Sequence, residues 1–271
     1  MGDDAMRKLI PAAVGISALL MITPWAAVKA ADLPVKAPPP PMLPVCIWCG
    51  WYAGINIGGS WGDDPFSYVQ PANNGLASTT LHPNGGIGGA QIGYNWVFGG
   101  FLFGLEGDLN ARHNSATVNG LQPFPLAPLA QVNVTETDNW LSTGRVRAGW
   151  ATGNLLFYGT GGIAVGEVSH SYTQLFVNNP AQSLTLNDSV VRTGWTAGVG
   201  LEWMALHNVS FGFEYLHVDL GRSSIVQSNS IVSGGVTFTP TTAAFNNRSD
   251  IVRAKVNFYF NEPPAPVVAR Y

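Results

Sequence analysis

The chain has 271 residues, among them 32 Gly and 9 Trp, with 11% charged residues and a net charge of −3. Soluble domains carry roughly 25% charge and about 7% Gly, so this composition is poorly suited to a solvated globular surface, while 46% apolar residues exclude wholesale disorder. The charge balance gives no basic footprint for nucleic acid, and two cysteines cannot staple a disulfide-dense scaffold.

Residues 1–30 read as a signal peptide. Arg7 and Lys8 precede an apolar stretch from Leu9 to Ala27, and Val28-Lys29-Ala30 offers small residues for cleavage after Ala30. The retained-anchor alternative is weakened by Pro11 and Pro24. Elsewhere no stretch reaches the roughly 18 apolar residues of a spanning helix. The chain is expected to be exported, and to cross a membrane, if it does, with strands.

Residues 31–50 form a Pro-rich linker, with Pro38 to Pro41 favouring an extended spacer. The linker ends in Cys46-Ile47-Trp48-Cys49. A thioredoxin-like redox pair would need a βαβ context, and haem attachment would need His where Gly50 stands. A small disulfide between Cys46 and Cys49, made in an oxidising compartment, is the expected state.

Residues 51–260 divide into eight alternating segments: Trp51–Gly62, Gly86–Trp96, Phe101–Arg112, Trp140–Ala151, Leu155–Val168, Val191–Trp203, Asn208–Val218 and Ile251–Phe260. The gaps at Val97–Gly100, Ala151–Asn154 and Met204–His207 are tight. Those at Asp63–Gly85, His113–Asn139, Ser169–Val190 and Asp219–Asp250 are long and polar. Short turns at one end and long loops at the other predict an all-β fold. It is an eight-stranded antiparallel transmembrane β-barrel with short periplasmic turns and long extracellular loops. The even strand number leaves the linker and the Pro-rich tail at 261–271 on the periplasmic side.

Alternation tells what each face meets. In the first segment Trp51, Ile55, Ile57 and Trp61 oppose Tyr52, Gly54, Asn56, Gly58 and Ser60. In the fourth, Val146, Ala148 and Trp150 oppose Thr143, Arg145 and Arg147. The fifth is ambiguous in phase because Gly159, Gly161 and Gly162 blur it. A lipocalin-like barrel would turn the apolar face inward, a membrane barrel outward. Gly mixed with a few ions suits the crowded interior of eight strands better than a water-facing surface. Trp51 to Trp61 and Trp140 to Trp150 are each ten residues apart. Tilted strands project that spacing to roughly 25 Å, the height between aromatic girdles. The predicted girdle comprises Trp51, Trp61, Trp140, Trp150, Trp195, Trp203, Phe258 and Phe260. The predicted lumen network comprises Glu106, Asp108, Arg145, Arg147, Arg192, Glu202, Glu214, Arg253 and Lys255, with Glu106 and Asp108 set against Arg145 and Arg147, and Glu214 against Arg253.

Several runs resemble the alphaproteobacterial small outer-membrane proteins, the 25/31-kDa major outer-membrane protein family. They are Gly50-Trp51-Tyr52-Ala53-Gly54-Ile55-Asn56-Ile57-Gly58-Gly59, Gly93-Tyr94-Asn95-Trp96, Gly104-Leu105-Glu106-Gly107-Asp108, Arg145-Val146-Arg147-Ala148-Gly149-Trp150, Tyr158-Gly159-Thr160-Gly161-Gly162, Glu214-Tyr215-Leu216 and Val252-Arg253. The resemblance covers nearly all of the chain after residue 30. It implies an abundant, structural eight-stranded outer-membrane barrel without catalytic residues, with porin-like or haemin-binding roles in some relatives. Two features depart from the pattern. Members usually end on the aromatic last strand read by the barrel assembly machinery, whereas eleven residues follow Phe260 here; and relatives generally lack the cysteines.

His82, His113 and His170 fall in the expected external loops, which leaves haemin or metal capture open, but their spacing matches no ligand set. His217 with Asp219 would suit a hydrolase acting on outer-leaflet lipid only beside an activated Ser, which no pattern marks. The expected function is therefore a structural, non-enzymatic outer-membrane barrel with a largely filled polar lumen, and no cofactor. A narrow porin or a haemin- or ligand-binding surface protein is the alternative. Expected partners are outer-membrane lipid and lipopolysaccharide, the assembly machinery during biogenesis, and peptidoglycan or an envelope protein through the Pro-rich ends.

Overall fold

The computed structural model describes residues 46–71, 74–121, 130–176, 179–228, 231–233, 236–238 and 240–260. Residues 1–45, which include the expected signal peptide and most of the expected linker, and the expected tail at 261–271 lie outside them. Twelve strands follow in order: β1 (Gly50–Trp61), β2 (Asp64–Gln70), β3 (Gly75–Leu81), β4 (Asn84–Phe98), β5 (Phe101–Leu121), β6 (Ala130–Thr152), β7 (Leu155–Phe176), β8 (Asn179–Leu206), β9 (Val209–Gln227), β10 (Ile231–Ser233), β11 (Val236–Phe238) and β12 (Thr241–Tyr259).

Eight strands close an antiparallel ring in the order β1–β4–β5–β6–β7–β8–β9–β12. β12 pairs back onto β1 from Tyr52↔Tyr259 to Trp61↔Asp250, so the membrane part leaves no free edge. The tight turns lie where the sequence placed them. Gly99, Gly100 and Gly153 take φ values of +58°, +94° and +56° there, a region that other residues enter only with strain.

The outer face carries the apolar alternates. Ile55, Ile57, Ile92, Leu105, Leu109, Val146, Ile163, Val191 and Val199 are all exposed. Their unbroken display is what lipid contact requires and what a water-facing sheet avoids. The ambiguous fifth segment settles with Phe157, Gly159, Gly161 and Ile163 outside and Tyr158, Thr160 and Ala164 inside.

The strands do not stop at the membrane. β6 runs 23 residues and β8 28, where a tilted strand needs roughly 9–11 to cross. Most of what the sequence suggested as polar loops, at 63–85, 113–139, 169–190 and 219–250, continues as ladder. The physical reason is that the pattern inverts once water replaces lipid outside. On β7, Tyr172 points in while Ser169, Ser171 and Thr173 point out, so a search for apolar-out alternation meets the opposite phase. A register shift at Asn139 moves the inward set of β6 from Arg145 and Arg147 to Val132, Val134, Glu136 and Asp138. On β9, the shift at Leu220–Gly221, with Gly221 at φ +78°, does the same.

Beyond the girdle the ring parts into two leaves. The β4–β5 ladder ends at Asn84↔Ser115 and the β8–β9 ladder at Trp195↔Asp219; among the described residues no ladder joins β3 to β5. One leaf is β5–β6–β7–β8 and the other is β3–β2–β12–β9. Between them Phe66, Tyr68, Leu81, Ala243 and Phe245 meet Val132, Val134 and Tyr172 in an apolar core.

Candidate functional site

The interior of the ring is built in layers. At the periplasmic end Trp48, Tyr52, Leu102, Leu156, Tyr158, Met204 and Tyr259 pack together. Two of these rings depend on glycine opposite them: a β-carbon at Gly93 would overlap the Tyr52 ring, and one at Gly200 would overlap Tyr158. Both tyrosines aim their hydroxyls upward into the next layer, donating to Glu106 Oε2 at 2.7 Å and to Glu214 Oε1 at 2.8 Å.

That layer is ionic. Glu106 accepts from Lys255 Nζ at 2.8 Å and lies 3.3 Å from Arg147 Nη1, with Arg145 in direct contact. Asp108 accepts from Arg145 Nη2 and Arg253 Nη2, each at 2.9 Å, and from Thr143 Oγ1 at 2.8 Å. Glu214 takes Arg253 Nε at 2.8 Å and stands 3.1 Å from Arg145 Nη1. Glu202 pairs with Arg147 and accepts from Ser210, Asn257 and Tyr259. Four acids thus face four cations, all eight of them buried. Isolated, any one of them would be costly at this depth; bridged and hydrogen-bonded, they are tolerated.

Two expected relations come out differently. Asp108 pairs with Arg145 and Arg253 rather than Arg147, because the β5–β6 register sets Glu106 opposite Arg145 and Gly104 opposite Arg147. Arg192 stays outside the cluster. It sits ten residues before Glu202 on β8, opposite Gly166, which lifts it to the outer rim, where it is half-buried. Tyr52, Tyr158 and Tyr259 also belong to the cluster through their hydroxyls; alternation puts Tyr52 on the polar face, but nothing in the sequence marks the three as partners of the ions. Trp51, Trp61, Trp150, Trp195, Trp203, Phe258 and Phe260 are exposed on the outer face, and Trp140 is half-buried there. Cys46 and Cys49 are joined in a disulfide.

Above the ions comes an apolar layer of Ile87, Leu141, Ala164, Val168, Leu216, Val218, Leu220 and Ile251. Over it, at the base of the two leaves, lies a second polar group that the sequence did not mark. Arg112 reaches Asp138 Oδ2 at 3.2 Å and donates to Ser60 Oγ at 2.9 Å. Asp64 accepts from the Arg248 backbone N–H at 2.7 Å, and Glu136 is buried on the facing strand. Burial first, then the neighbouring Asp64 and Asp138 carboxylates, push Glu136 up to about 10; burial raises Asp64 to about 7.

A carboxyl whose folded pKa is raised stabilises the fold while protonated. That contribution is complete below the ordinary carboxylate range and is lost as pH rises through about 7 and then about 10. The thermal midpoint is therefore expected to fall between pH 6 and pH 10, and Glu136→Gln is expected to flatten the alkaline part of that fall. An unchanged slope in the variant would remove Glu136 from this role.

The histidines are dispersed. His82 Nδ1 lies 2.6 Å from Asp63 at the exposed surface. His170 is buried against Phe245, and burial lowers its pKa to about 4. His217 faces Asp250 at 2.9 Å, while Asp219 takes Arg248 at 2.9 Å. Among the described residues no group of three or more His, Cys, Asp or Glu is placed to hold a metal ion.

Comparison with known proteins brings the fold and the sequence together. The family model described as "Outer membrane protein beta-barrel domain" matches residues 47–244. The 31 kDa outer-membrane immunogenic protein of Brucella melitensis biotype 1 is 32% identical over 227 residues, covering 80% of this chain and 91% of that protein. The 22 kDa outer membrane protein of Rhizobium leguminosarum bv. viciae is 26% identical over 183 residues, 66% of this chain and 67% of its own length. The crystal structure of the outer membrane protein OprG from Pseudomonas aeruginosa aligns over 78% of this chain and 97% of its own, at 13% identity and a TM-score of 0.45.

Proposed function

Because this chain belongs to the outer-membrane protein β-barrel domain family and its relatives are outer-membrane proteins, we propose that it is a structural barrel of the outer membrane, neither a solute channel nor an enzyme. The observation that carries this reading is the interior cross-section. Glu106, Asp108, Glu202 and Glu214 bind one another's space through Arg145, Arg147, Arg253 and Lys255, between an aromatic layer below and an aliphatic layer above. An eight-stranded barrel is only just wide enough for its own side chains, so a solute would have to break buried ion pairs to pass.

The belt between the aromatic rows suits outer-membrane lipid, and the polar leaves suit the saccharide of lipopolysaccharide above it. The His217–Asp219 pair that the hydrolase alternative rested on does not form: His217 faces Asp250 and Asp219 takes Arg248. Planar-bilayer recording of the purified protein tests the proposal. Insertion without stable conductance steps is expected. Reproducible openings of appreciable size would overturn it in favour of a narrow porin.

A further inference from the structure

The loop ahead of β1 takes no part in the ladder, yet Trp48 within it is only 2% exposed. Its indole Nε1–H donates to the Gly153 carbonyl at 3.0 Å, in the β6–β7 turn. Its own carbonyl accepts from Asn95 Nδ2 of β4 at 3.2 Å, and its ring meets Tyr259 of β12 edge-on at 5.7 Å. Leu102 of β5, Leu156 of β7 and Met204 of β8 belong to the same cluster. With partners on so many strands, the indole stands across the mouth of the ring instead of lining one wall.

The loop is bracketed on both sides of Trp48. Cys46 and Cys49 are bonded, the Cys49 N–H donates to the Cys46 carbonyl at 3.4 Å, and Gly50 turns the chain into β1 at φ +90°. A disulfide across so short a segment gains little by constraining the unfolded chain, since that effect grows with loop length. What it does fix is the direction of the two apolar side chains between the cysteines, Ile47 packing against the cluster and Trp48 buried within it.

We propose that the disulfide-bonded turn at residues 46–49 is a stopper that seats Trp48 in the periplasmic mouth of the barrel, and that a dithiol reductant releases it. A reductant thiolate attacks one sulfur of the Cys46–Cys49 bond, which breaks. Two electrons and two protons end on the cysteines as two thiols, and the reductant leaves as its own disulfide. An oxidising periplasm keeps the stopper seated. This holds whether or not the lumen conducts.

The test uses the full-length folded protein in detergent micelles, with and without dithiothreitol, followed by iodoacetamide to trap thiols. The readout is the temperature at which the folded gel band converts to the unfolded one, in wild type, Trp48→Ala, Cys46→Ser/Cys49→Ser and the triple variant. Reduction is expected to lower the wild-type midpoint by several degrees, to match the double-serine variant, and to change nothing in Trp48→Ala, because both act through one contact set. An equal shift in Trp48→Ala, or none in wild type, overturns the proposal. Should Trp48→Ala fail to fold, Trp48→Phe serves, with acrylamide quenching as second readout. Reduction is expected to increase quenching in wild type and not in Trp48→Phe, and an equal change in both would contradict the stopper.

Discussion

Glu106→Ala is expected to destabilise the folded barrel by about 3–5 kcal/mol, the range for removing one partner of a buried ion pair. Glu106 touches Arg145, Arg147, Lys255 and the Tyr52 hydroxyl, so its loss leaves four acids' worth of cation facing three. Arg145 retains Asp108 and Glu214, and Arg147 retains Glu202, but Lys255 is left with Glu214 at 3.4 Å. Replacing both partners, Glu106→Met together with Lys255→Met, restores neutrality with apolar groups of similar length. That double variant is expected to recover most of the lost stability, because well-packed apolar replacements of buried pairs are often neutral. Urea unfolding of the folded protein in micelles measures both. A Glu106→Ala variant within ~0.5 kcal/mol of wild type, the range of ordinary surface changes, would mean that the cluster is not a stabilising element.

The second large effect lies on the outer face of the neighbouring strand, β6. Val146 is 60% exposed on the outside of β6, between Trp140 and Trp150. On a water-facing sheet Val146→Lys would cost little. At the middle of a lipid-facing belt it is expected to cost about 2–4 kcal/mol. Thr135→Lys supplies the control, since Thr135 shares the outer face of β6 beyond the girdle, hydrogen-bonded to Thr117 at 3.1 Å. It is expected to stay within ~0.5 kcal/mol of wild type. Equal costs at the two positions would contradict a boundary between lipid and water at Trp140.

The membrane-spanning part was legible because lipid outside and ions inside give each strand a single, strong contrast. Trp51, Ile55, Ile57 and Trp61 against Tyr52, Asn56 and Ser60 is enough to phase β1. The outer leaves were not legible for the converse reason. Their outward residues are mostly polar, Ser and Thr with only scattered apolar members such as Val69, Leu76 and Val226, their inward residues mix Val132, Val134 and Tyr172 with Glu136 and His170, and neither set looks like a strand facing lipid. The register shift at Asn139 compounds this, since a single inserted residue exchanges the faces of everything beyond it.

The interior cluster was partly legible. Side-chain alternation brought Glu106, Arg145, Glu214 and Arg253 to the inner face, and Glu214↔Arg253 and Glu106↔Arg145 are indeed cross-strand neighbours. Height along the barrel was the missing coordinate. Arg192 shares the inward phase of Glu202 yet stands ten residues away, and Asp64 and Glu136 come together only because β2 extends the ring outward beside β12.

Orientation is the central claim: apolar residues outside, ions within. Sedimentation of the folded, purified protein in a density-matched detergent tests it most directly, by weighing what is bound around the belt of Ile57, Leu105, Val146 and Val199. A compact β-rich particle carrying a detergent belt is the expected result. A folded, monodisperse particle that binds no detergent would contradict it.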